Sequence, residues 1–144
     1  GGTVMQHVYD ESTDTRDAMD IDPGTREITY AAATKEALDE AMAADALAVS
    51  AISFWEIALL VAKGRLELAE PIESWRRRLL DAGLRELPVD GAIGIQSVVL
   101  DGLHPDPADR LIVATAWVRG ATLLTADRRL LEWTSTLARI DASH

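Results

Sequence analysis

Apolar residues recur along this chain at two spacings. Leu47-Ala48-Val49-Ser50-Ala51 and Ala121-Thr122-Leu123-Leu124-Thr125 are apolar or β-branched almost throughout, the pattern of short strands buried on both faces. Longer stretches follow the helical spacing of 3.6 residues. Ser50 to Gly64 reads as a helix with Ser53 as its N-cap and Gly64 as its stop. From Asp106 onward Leu111, Ile112, Ala114, Thr115, Ala116 and Val118 recur on one side until Gly120 ends the run. The spacing predicts further helices over Ala31–Ala44, Pro71–Ala82 and Gly91–Leu100, a strand over Leu84–Val89 and a last edge strand over Arg139–Ala142. Strands alternating with helices imply an α/β fold, a three-layer α/β/α sandwich around a mostly parallel sheet. No repeat or linker divides residues 1–144, so a single domain is expected, with an atypical segment at about 1–29.

Carboxylates stand at the ends of these elements. Asp106 and Asp109 open a helix, where acids face the positive end of the helix dipole, and Asp127 lies two residues past a strand. Functional residues of an open parallel sheet gather beyond the carboxyl ends of its strands, so Asp127 is aimed at that crevice and Asp109 is within reach of it. Glu56 has two readings. Ser53-x-x-Glu56 is a capping box, and Glu56 is equally a carboxylate in the first helical turn beyond the Leu47–Ala51 strand, on the same rim.

Two long ungapped motifs carry a resemblance: VSAISFWEIALLVAKGRLEL, from Val49 to Leu68, and GLHPDPADRLIVATAWVRGATLLTADRRL, from Gly102 to Leu130. With them the chain resembles the PIN-domain ribonucleases, most closely the VapC-type toxins of bacterial toxin–antitoxin pairs. The resemblance implies an α/β/α sandwich with a four-acid Mg²⁺ (or Mn²⁺) site that hydrolyses RNA. Three of the acids match Glu56, Asp109 and Asp127; Thr125 matches a Ser/Thr that often precedes the last acid, and Asp106 an extra acid of this subgroup. It further implies a homodimer, a cytoplasmic location and a VapB-type antitoxin whose basic side chain enters the acidic pocket.

The fourth acid is where the chain departs from the family. Members open with an apolar strand ending in Asp-Thr or Asp-Ser, followed by an apolar helix, whereas this chain reads TVMQHVYDESTDTRDAMDIDPGTREIT. Asp14-Thr15 keeps the pair and the family's distance to the helix near Ala31, but Asp10-Glu11-Ser12-Thr13 makes a poor buried strand. Asp10 follows a better strand, Val4 to Tyr9, but lacks the Thr. Asp14 is the favoured candidate. Asp17, Asp20 and Asp22 fall where the family's first helix would be apolar, and charged residues are rarely buried unless paired. If the first acid is missing, the alternative is a catalytically silent PIN-like module that still binds the antitoxin.

Composition narrows the classes. No apolar run approaches the ~20 residues of a membrane helix, and no basic start leads into a signal core, so no membrane role is expected. The absence of cysteine excludes disulfides and thiolate metal sites and suits a reducing cytosol. With 14 basic and 24 acidic residues the net charge is −10, which works against avid RNA binding, because phosphate affinity comes mainly from Lys and Arg. Local potential outweighs the sum, however, and Arg110, Arg119, Arg128 and Arg129 flank the proposed site. Arg76-Arg77-Arg78 reads as the solvated face of its helix.

Other signals fall away. Asp20-x-Asp22-x-Gly24 lacks the Gly and Glu of a calcium loop, having Thr25 and Ala31 at those positions. His7, His104 and His144 share no metal-ligand spacing, and His104 reads as a turn residue before Pro105. Ser50 and Ser53 lack a Gly-x-Ser-x-Gly elbow. Trp75, taken as exposed, and the Leu59-Leu60-Val61 face are the candidate contact surfaces. Among the acids, Asp14 and Asp109 are expected as principal metal ligands, with Glu56 and Asp127 acting through water.

Overall fold

The structure is a computed structural model that describes residues 3–6 and 46–141. Its elements are β1 (Val4–Gln6), β2 (Leu47–Ser50), α1 (Ala51–Ala62), α2 (Ile72–Asp81), β3 (Arg85–Leu87), α3 (Gly91–Val98), α4 (Pro107–Arg119), β4 (Thr122–Thr125), α5 (Arg128–Leu131) and β5 (Arg139–Asp141). The expected helix over 31–44 lies outside the described residues. Every described strand pairing is parallel, in the order β3-β2-β1-β4-β5, with β5 at an edge as expected.

Alternation along the strands builds two cores. Met5, Ala48 and Leu123 are direct partners across β1, β2 and β4, and they face one side, where they meet Ile93 of α3 and Ile112 and Val113 of α4. Val49 faces the other way and packs with Phe54, Ile57 and Leu60 of α1 and Trp75 of α2. Helices therefore cover both faces, which is why the central strands are apolar on successive residues rather than on alternate ones.

Three expectations need correction. The N-cap of α1 is Ser50, not Ser53: the helix begins directly after β2, and Ser50 Oγ accepts from the Ile52 N–H at 3.3 Å. Ser53 is instead buried within the first turn. Trp75 is 1% exposed and stacks edge-on against Phe54 at 5.9 Å, so it is core and not a contact surface. Leu60 is buried with it. The strand foreseen over 84–89 is cut to Arg85–Leu87, since Pro88 has no N–H to extend the ladder.

Local chemistry ends the elements where the sequence suggests. Gly120 stops α4 at φ +64°, a left-handed conformation that costs a side-chain-bearing residue roughly 1–2 kcal/mol. Asp90 caps α3, accepting from the Ile93 N–H at 3.0 Å. The arginine run of α2 splits: Arg76 grips Glu86 of β3 through two hydrogen bonds of 2.8 and 2.6 Å, Arg78 holds Glu70, and Arg77 is exposed. Arg76 also lies over the Phe54 ring, 5.6 Å from its centre.

The hydrogen bonds from Arg76 hold the Glu86 carboxyl below the usual carboxylate range, against the opposing effect of its burial. A carboxyl lowered in the folded state adds stability above its unfolded pKa, and that gain disappears as the pH falls through its folded pKa. Glu86→Gln is therefore expected to melt below the parent at pH 7, with the difference closing as the pH drops below about 4. Thermal melts across that range measure it, and a difference that is constant with pH would count against the pair.

Candidate active site

The strand order places the crevice. From β1 the chain builds outward through β2 to β3, then crosses back to lay β4 on the other side of β1. The direction of winding reverses between β1 and β4, and ligands of open parallel sheets bind outside the carboxyl ends of the strands at such a reversal. Helices that lead into a strand begin at this same edge. The first turn of α4, the start of α1 and the residues just past β4 thus share one rim.

Asp127 follows β4 and is fixed by its own turn. Its N–H donates to Thr125 Oγ1 at 3.1 Å, and its Oδ1 accepts from the Arg129 N–H at 2.8 Å, capping α5. The carboxylate is 2% exposed and Thr125 is fully buried. Asp109 lies in the first turn of α4. That turn is set by Asp106, whose Oδ1 accepts the Asp109 N–H at 3.1 Å, and by Pro107 at the first helical position. Asp109 is 3% exposed.

The two aspartates meet. One ligand atom each from His104, Asp109 and Asp127 lie within 4.8 Å of one another. His104 Nε2 is 2.8 Å from Asp109 Oδ2, and Arg129 Nη2 lies 3.3 Å from Asp109 Oδ2 and 3.2 Å from Asp127 Oδ2. An ionised carboxylate only accepts, so that contact requires the proton on Nε2 of His104. His104, which sequence reasoning placed in a turn, thus stands beside the two aspartates. Its position immediately ahead of the Asp106 cap, where the chain folds back over the first turn of α4, was the available signal.

Arg110 is what brings the histidine there. Its guanidinium donates to the carbonyls of Ser97 (2.7 Å), Leu103 (2.8 Å), Leu100 (3.0 Å), Val98 (3.2 Å) and His104 (3.3 Å). It gathers the orphan carbonyls at the end of α3 and the loop after it, and so pins the backbone of His104 beside Asp109. Arg119 pairs with Asp90 and Arg128 with Asp141, both away from the acids. Of the four arginines foreseen around the site, Arg129 alone contacts the two aspartates among the described residues.

Glu56 is 6% exposed on α1, beyond the carboxyl end of β2. It is not one of the three residues whose ligand atoms converge. Ser50 links its helix to that of Asp109, with Ser50 Oγ 3.4 Å from Thr115 Oγ1 on α4. Asp10 and Asp14 lie outside the described residues. The slot between β2 and β4 is filled by Val4–Gln6, within the strand on which the Asp10 alignment rests.

The donor set fits a hard divalent ion. Mg²⁺ is commonly held by one or two carboxylates and keeps several waters, and Asp109 and Asp127 offer buried oxygen donors in a place already built for positive charge.

Known proteins resemble this chain in the same region. The family model of the PIN domain matches residues 25–134, which include Glu56, Asp109 and Asp127 but neither Asp10 nor Asp14. Ribonuclease VapC22 of Mycobacterium tuberculosis is 44% identical over 88 residues, 60% of this chain and 67% of that protein. Among solved structures, VapBC2 from Rickettsia felis bound to a promoter DNA fragment superposes with a TM-score of 0.68 at 16% identity, covering 96% of this chain and 98% of the matched one. DNA-bound VapBC from Salmonella typhimurium gives 0.61 at 16% identity, covering 98% of both chains. At such identities the two structures speak for the fold alone.

Arg110→Ala is expected to cost about 2–3 kcal/mol of stability, the scale of losing charge-assisted hydrogen bonds to buried carbonyls, with Arg110→Lys recovering little because one ammonium cannot span them. Urea unfolding of the three proteins checks this. A loss within about 0.5 kcal/mol for the Ala variant would mean that the loop holds itself.

Proposed function

The chain belongs to the PIN-domain family, and on that premise we propose that it is a divalent-metal-dependent endoribonuclease toxin of the VapC type, neutralised by a VapB-type antitoxin. The observation that carries the reading is the meeting of Asp109 and Asp127, both buried, at the reversal point of a parallel sheet. Helix capping alone would not bring them together.

Asp109 and Asp127 would hold the ion (Mg²⁺, with Mn²⁺ as a substitute), joined by Glu56 and by Asp14 as the fourth acid, Asp10 being its competitor. A divalent ion bound there supplies a water activated near neutral pH and a counter-charge for the scissile phosphate. The chain's own part is positional. Thr125 and Asp106 fix the backbones that carry the two aspartates, and His104 orients the Asp109 carboxylate through Oδ2. Such outer hydrogen bonds set which lone pairs a carboxylate presents to a cation.

The similar structures also bear on partners. Those structures are VapBC assemblies bound to DNA, and in the proposed reading the overall charge of −10 suits a basic segment of an antitoxin drawn in by long-range attraction. Ile95, Val98 and Val99 are exposed around the end of α3, and they offer apolar area for a second copy of this chain in a homodimer. No helix among the described residues is long and apolar enough to cross a membrane, and a cytoplasmic location belongs to the same proposal.

The reading requires RNA cleavage in Mg²⁺ or Mn²⁺ that stops in EDTA. Asp109→Asn and Asp127→Asn are each expected to lower the rate by at least the 10–100-fold typical of an outer-sphere partner, with melting temperatures close to the parent's. Asp14→Asn and Asp10→Asn, assayed separately, assign the fourth acid: loss with Asp10 alone would move the site there. A chain that cuts nothing in either metal yet binds its antitoxin would instead be a silent binding module.

A further inference from the structure

We propose that Arg129 is the resident counter-ion of the acidic site, held between Asp109 and Asp127 in the metal-free protein and displaced from them when the divalent ion binds; this rests on the metal-dependent reading above. Asp127 grips the Arg129 side chain with both oxygens, Oδ1 to Nε at 3.4 Å and Oδ2 to Nη2 at 3.2 Å. The same Nη2 reaches Asp109 Oδ2 at 3.3 Å. One guanidinium nitrogen thus lies between the two aspartates and engages an oxygen of each, the donors that would hold a shared cation.

Two positive groups cannot use those oxygens together without close repulsion, so metal binding is an exchange of cations. The exchange is sterically open. The Arg129 side chain is 43% exposed while both carboxylates are buried, so its head has a solvent side to move toward while its backbone stays fixed on the Asp127 cap. Arg128, its neighbour on α5, pairs outward with Asp141 and Glu132 and touches neither acid. The consecutive arginines therefore separate a specific contact from the general effect of one positive charge near the site.

The test is calorimetric titration of the EDTA-stripped full chain with Mn²⁺ alone, without RNA. Removing the competing charge in Arg129→Gln is expected to tighten Mn²⁺ binding by about tenfold, against less than about twofold for Arg128→Gln. Arg129→Lys, which keeps the charge but loses the planar two-pronged grip, should fall between the parent and Arg129→Gln. In EDTA, Arg129→Gln should melt below the parent and gain more on adding Mn²⁺. If Arg129→Gln does not fold without metal, Arg129→Lys decides alone: tighter binding than the parent supports the exchange, and equal or weaker binding overturns it. Equal or weaker Mn²⁺ binding by a folded Arg129→Gln, with binding abolished in Asp127→Asn, refutes the proposal and leaves the metal site standing. No Mn²⁺ binding by any of them refutes the metal site and the proposal together.

Discussion

Two carboxylates sunk almost out of water and brought within ligand distance of each other need positive charge between them. Placing one isolated carboxylate in a low-dielectric interior costs several kcal/mol, and a second nearby adds repulsion. Much of the described structure around Asp109 and Asp127 answers that demand. Arg129 bridges them, His104 donates to one, Thr125 and Asp106 remove the freedom of the backbones they hang from, and Arg110 secures the loop that delivers the histidine. A protein that needed only stability would replace such a cluster with apolar packing.

The sheet supplies the rigidity on which that cluster depends. Met5, Ala48 and Leu123 form a continuous row under α3 and α4, and Val49 meets α1 and α2 on the reverse side. β4 is held on both sides, by Leu123 in that row and by Leu124 against Leu47 on the reverse side, and Asp127 inherits that fixity. Asp109 inherits it through α4, whose Ile112, Val113, Ala114, Thr115 and Ala116 are all fully buried.

Much of this was legible in the sequence because it rests on periodicity and on chain direction. The apolar runs 47–51 and 121–125 hold the strands Leu47–Ser50 and Thr122–Thr125, α1 to α4 lie within a few residues of their expected ends although the short α5 was not foreseen, and Asp109 at its helix start and Asp127 beyond its strand do converge. What escaped depended on contacts between distant segments. Ser50 is at once the last residue of β2 and the cap of α1, so no loop separates strand from helix, and Ser53 was the cap that local pattern favoured. Trp75 looked exposed beside three arginines, but Glu86 and Glu70 draw Arg76 and Arg78 aside and leave the ring to the core. His104 read as a turn because its role comes from Arg110 collecting carbonyls across the α3–α4 loop, which no local pattern encodes. Asp10 and Asp14 differ by only four positions in a segment where charge masks the family's apolar signature.

The parallel sheet also sets a schedule. β1 lies in the middle, and Val4 pairs with both Leu47 and Thr122. A central strand made early must wait for a partner made much later, and pairing across so long a loop is slow because the entropy of closing it is paid before any contact forms. Asp109 and Asp127 belong to that late partner, one on the helix leading into β4 and the other on the turn leaving it. As the chain leaves the ribosome, the hydrophobic layers around β2, α1 and α2 can begin to assemble while the two aspartates are still far from the sheet. The acidic pocket is thus among the last parts of the described fold to close, so that during synthesis the chain has structure before it has a site.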